Sequence, residues 1–71
     1  MAVFTSSAFA LRRKLITEAL ESSGARTPET AKTLAEAGVA NPDLFPEYTE
    51  NLVFLETIRK TGDGRYYLPE E

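Results

Sequence analysis

The side chains able to do chemistry in this sequence are carboxylates, a few hydroxyls and two clusters of cations. Asp43 and Glu47 lie four residues apart, a spacing that puts paired carboxylates on one helix face. Pro46 falls between them and no third ligand is near, so the pair suits neither a metal nor general acid–base work. Asp63 sits in Thr61-Gly62-Asp63-Gly64, which lacks the alternating oxygens and closing Glu of a calcium loop. The same stretch has too few glycines, no Lys and no following helix for a phosphate loop. Thr5, Ser6 and Ser7 offer hydroxyls with no base beside them in sequence. The chain contains no Cys and no His. That removes thiolate nucleophiles, disulfides, zinc fingers and the commonest general base. The expectation is a noncatalytic protein, not an enzyme, with no metal and no cofactor.

The cations are more suggestive. Arg12, Arg13 and Lys14 form one cluster; Arg59, Lys60 and Arg65 surround the 61–64 turn. Both would suit phosphate contacts. The balance of the chain opposes this, because eight Lys and Arg face eleven Asp and Glu, a net charge of −3. An acidic chain repels nucleic acid in the absence of a segregated basic face. Arg59, Lys60 and Arg65 also have a plainer role, as charges guarding a strand edge or pairing with Glu56 and Asp63. Tyr66 and Tyr67 could stack on bases, but at strand positions beside a small core packing is the stronger expectation.

The elements that must position these groups follow from pattern and punctuation. Seventy-one residues make one domain, burying about 60% of the unfolded surface, with residues 1–4 and 70–71 frayed. No apolar run is long enough to cross a bilayer. The start resembles a signal peptide in the wrong order, since Arg12, Arg13 and Lys14 follow the apolar part. The spacing predicts a first helix over 5–23, capped by Thr5 or Ser6 and stopped at Gly24. Ala8, Leu11, Leu15 and Ala19 form its inner stripe, widened by Phe4, Phe9, Ile16 and Leu20, with the basic cluster on the outer face. Thr27-Pro28-Glu29 opens a second helix over 28–37 that stops at Gly38 and buries Ala31, Leu34 and Ala35, with Val39 folding back. A single turn over 42–45 precedes Pro46. A third helix follows over 47–56, with Leu44, Tyr48, Leu52 and Leu55 inward and Phe54 either exposed or covering the C-terminal strands. Asp63-Gly64 and its flanking strand formers give a hairpin over 57–68, with Ile58, Tyr66 and Leu68 inward.

The segments SGARTPETAKTLAEAGV and LVFLETIRKTGDGRYYL together resemble a winged helix-turn-helix domain over roughly residues 22–69. The chain is also similar to small prokaryotic proteins that end in a GDGRYYL-type hairpin. The resemblance implies a mainly α fold with a C-terminal β-hairpin, an α+β class, in which three helices carry a wing. It implies DNA entering beside the third helix. That helix presents Glu47, Glu50, Asn51 and Glu56, and only Asn51 has a donor–acceptor pair for reading adenine. The expectation is therefore a protein-contact module in the cytoplasm, acting on a partner or on itself. Its surface is Glu47, Glu50, Asn51 and Phe54, with Arg59, Lys60 and Arg65 beside it. The alternatives are a DNA-binding regulator paired through its first helix, and the soluble part of a membrane-anchored protein.

Overall fold

A computed structural model describes residues 7–69. The expected frayed ends, the caps at Thr5 and Ser6, and Phe4 lie outside the described residues. The architecture is α+β: three helices followed by a small two-stranded antiparallel hairpin.

Helix α1 spans Ser7–Ser22. Phe9, Arg12, Ile16 and Leu20 are its buried face, at i+3 and i+4 spacings. Of the expected stripe, Phe9, Ile16 and Leu20 are buried and Ala19 is half-buried, while Ala8, Leu11 and Leu15 face outward. Leu11 and Leu15 are 68% and 41% exposed. Two apolar stripes compete on this helix, and the one carrying Phe9 and Ile16 buries more surface. It takes Arg12 inside with it, at 6% exposure. Arg13 and Lys14 remain outside, as expected. Gly24, at φ +78, closes the helix as expected. The Ala25 and Gly24 amides turn back onto Leu20 O and Glu21 O at 3.0 and 3.1 Å, a Schellman arrangement.

The second helix is not continuous over 28–37. A 3₁₀ turn at Pro28–Thr30 is followed by extended backbone and then a short helix α2, Leu34–Ala37. Thr33 starts α2 with its own reciprocal cap. Its hydroxyl accepts from the Glu36 amide at 3.1 Å, and Glu36 Oε1 accepts from the Thr33 amide at 3.0 Å. Upstream, Lys32 exchanges both backbone hydrogen bonds with Tyr66, at 2.9 and 2.7 Å. The hairpin thus claims the backbone that a continuous helix would need, and a second cap lets the helix restart. Ala31, Leu34 and Val39 are buried as expected; Ala35 is exposed.

Residues 42–45 form a non-helical turn, closed by the Leu44 amide on Asn41 O at 2.9 Å. Helix α3, Pro46–Phe54, begins at the proline rather than after it, because the first helical position needs no N–H. Leu52 is fully buried, Thr49 is 5% exposed and Tyr48 is half-buried. Leu44 and Leu55 stand 45% and 51% exposed and leave the expected stripe. The helix ends before Glu56, which adopts φ +63.

Strands β1, Arg59–Lys60, and β2, Tyr66–Tyr67, pair with Arg59 opposite Tyr67 and Lys60 opposite Tyr66. The turn closes through the Thr61 amide on Arg65 O at 2.8 Å and the Gly64 amide on Thr61 O at 3.2 Å. Gly64 takes φ +84, the left-handed position that ends a three-residue hairpin loop. A pair this short is marginal alone. It is held by Lys32 on one side and by the Leu68 amide on Ala25 O at 2.8 Å. Ile58 is fully buried with Phe9, Ile16, Leu20, Leu34, Val39 and Leu52, and Tyr66, Tyr67 and Leu68 pack against that cluster.

Candidate interaction surface

Glu47, Glu50, Asn51 and Phe54 lie on one face of α3, since 47, 50, 51 and 54 are separated by three or four residues. Glu47 and Glu50 are exposed and Asn51 is half-buried. Phe54 is 82% exposed, so of its two expected places it takes the outer one. An acidic strip therefore ends in an unsheltered aromatic ring.

The wing cations are each met by a carboxylate. Arg59 pairs with Glu56 at 3.5 Å, and Lys60 reaches Glu50 at 4.0 Å. Arg65 donates to Glu36 at 2.9 Å and to Asp63 at 3.2 Å. These exposed pairs contribute little to stability. Their effect is on the sign of the local field, because no wing cation stands without an adjacent anion. The Thr61 hydroxyl donates to Asp63 Oδ1. That hydrogen bond first, and the Arg65 guanidinium after it, hold the Asp63 carboxyl below its ordinary value.

The other basic cluster is divided. The Arg12 guanidinium turns inward and donates to the carbonyls of Ala40, Asn41 and Pro42 at 3.0, 2.9 and 3.4 Å. It ties α1 to the loop before α3 and is not available to a phosphate. Placing it on the outer face with Arg13 and Lys14 is the error here. Charge alone predicted an outward Arg, but a planar fork can be buried where consecutive carbonyls meet it. Arg13 and Lys14 are exposed and make no ion pair with the described residues.

Two concavities flank these elements. One, of about 490 Å³, lies between α2, the 42–46 turn, α3 and the wing. Leu34, Pro42, Pro46 and Tyr66 form apolar parts of its wall, Asp43 and Glu50 supply carboxylates, and Thr49 contributes to the floor. The Thr49 hydroxyl is buried and has no hydrogen-bond partner. Thr49 was missed from the sequence, although its place three residues before Leu52 puts it on the inner face of α3. The second, of about 280 Å³, is a groove of Ala8, Leu11, Leu15 and Phe45 along α1. Phe45 stacks on Tyr48 at 4.7 Å, and Tyr48 meets the edge of Phe9 at 5.3 Å. Among the described residues no three Asp or Glu converge as a metal site, and no helix is long and apolar enough to cross a membrane. Compared with family models, with curated proteins and with solved structures, the chain matches none.

Proposed function

We propose that this chain is a noncatalytic, winged-helix-like module that works through protein contacts, with the outer strip of α3 as its contact surface. The succession of helix, extended segment paired with the hairpin, two helices and wing supports the winged-helix-like part. The observation that carries the rest is electrostatic. Every wing cation has a carboxylate partner, while Glu47, Glu50 and the ring of Phe54 stand out on one helix face. An aromatic anchor within a charged rim is a common arrangement for a binding hot spot. The sign of the rim selects a basic partner. A cytoplasmic location is part of this reading; among the described residues no helix is long and apolar enough to cross a membrane.

The test is an amide-shift titration of the isotope-labelled chain with an oligoarginine peptide and, separately, a random DNA duplex, both at low salt. The reading expects the peptide to shift residues 46–54 and the duplex to shift nothing. Duplex binding centred on residues 13–14 and 59–65 would replace it with the DNA-regulator reading. One observation favours that second reading: Arg13 and Lys14 make no ion pair among the described residues and lie beside the exposed Leu11 and Leu15. Pairing of two chains through this stripe would join two wings, and light scattering would register the dimer.

A further inference from the structure

We propose that the cleft between α2, the 42–46 turn, α3 and the wing receives the guanidinium of an arginine side chain carried by a basic partner segment. The inference rests on the protein-contact reading and gives it a pocket. The cleft borders the α3 strip at Glu50. Its volume of about 490 Å³ falls in the range of small-ligand sites, which combine apolar walls with a few polar groups.

Three oxygen-bearing side chains line it, two exposed carboxylates and one buried hydroxyl. Asp43 pairs with no cation among the described residues. Glu50 has, among the described residues, only Lys60, at 4.0 Å, the limit of pairing. Thr49, 5% exposed, holds a hydroxyl with no partner. All three can accept a hydrogen bond and two carry negative charge, so a cationic donor complements them. Arg65 on the wing does not serve, since it is committed to Glu36 and Asp63. Arginine fits better than lysine for physical reasons. It offers five N–H donors in a rigid plane, it sheds water more readily, and its flat face lies well against an aromatic ring such as Tyr66. The apolar walls would take the methylene stem.

The probe is a blocked Gly-Arg-Gly peptide, titrated into the isotope-labelled full chain beside its Lys and Gln counterparts. The Arg peptide is expected to shift amides at 33–35, 43, 49–50 and 64–66 and to bind about tenfold more tightly than the Lys peptide. Asp43→Asn and Thr49→Val are each expected to weaken it about tenfold, while Glu18→Gln, exposed on α1 and outside the cleft, leaves it unchanged. The amide spectrum of each variant verifies its fold. Equal binding of the Arg and Gln peptides, or full affinity in both cleft variants, overturns the proposal. Shifts confined to 47, 51 and 54 that vanish in Phe54→Ala would overturn the cleft and leave the α3 strip standing. No binding of any of the three peptides also overturns the cleft, and the oligoarginine titration then judges the strip by itself.

Discussion

Replacing Arg12 by alanine should unfold much of what replacing Arg13 leaves untouched. The two residues are adjacent and chemically identical, but one is 6% exposed and the other lies in solvent. Arg12 makes two hydrogen bonds of ordinary length to Ala40 O and Asn41 O, and a longer one to Pro42 O. Charged hydrogen bonds contribute about 1.5–3 kcal/mol each. Burying the guanidinium opposes this, and its Nε has no partner. A net loss of about 3 kcal/mol follows when the side chain is removed and the carbonyls are left behind. At about 0.1 kcal/mol per residue the whole domain holds on the order of 7 kcal/mol, so the substitution removes a large share. Urea denaturation followed by circular dichroism measures it, with an unchanged slope expected. Arg12→Met separates the stem's packing from the guanidinium's hydrogen bonds, and Arg13→Ala should stay within about 0.5 kcal/mol of the parent. If Arg12→Ala and Arg13→Ala denature at the same urea concentration, the internal clamp is wrong and the basic cluster is a surface feature.

Glu56→Gly should stabilise the chain by about 0.5–1 kcal/mol, since φ +63 suits glycine and the lost Arg59 pair is exposed; a melting scan checks it. Thr49→Val should raise stability by about 1 kcal/mol, because a buried hydroxyl without a partner is replaced by a methyl group; lower stability would mean that the hydroxyl is satisfied. The Asp63 carboxyl is held below its ordinary value by the Thr61 hydroxyl and Arg65. The folded state therefore binds this proton less readily than the unfolded chain. Its contribution to the turn is complete above the ordinary carboxylate range and is lost as pH falls through the depressed value. Amide shifts of residues 61–65 should follow that titration in the parent, and Thr61→Val should move its midpoint upward.

How legible each element was depended on whether its signal was local. Gly24, Gly38 and Gly64 all take positive φ, as their places after helices and in the turn predicted. The third helix ends in the same way without a glycine. Glu56 turns back through its amide to Val53 O at 3.0 Å, and Thr57 to Leu52 O at 2.9 Å. With no glycine to mark the stop, the pattern ran on to Glu56. The break in the second helix was invisible for a different reason. Lys32 is extended because Tyr66, distant in sequence, takes both its hydrogen bonds, and such a contact overrides local propensity. The α3 strip was legible because helical spacing alone defines it. The cleft was not, since it needs the wing, α2 and the 42–46 turn brought together.

The acidic α3 strip also explains why a basic wing need not imply nucleic acid. Glu50, in the middle of α3, reaches Lys60, and Glu56, just beyond its end, reaches Arg59, so helix and wing partly neutralise one another before any partner arrives. The chain's net charge of −3 then repels phosphate at long range and attracts basic segments, more strongly at low ionic strength. The most direct measurement is the anisotropy of a labelled random duplex titrated with the full chain across a salt series. The account predicts no change in anisotropy even at the lowest salt. An affinity that falls steeply and linearly with the logarithm of salt concentration, as counterion release requires, would contradict it.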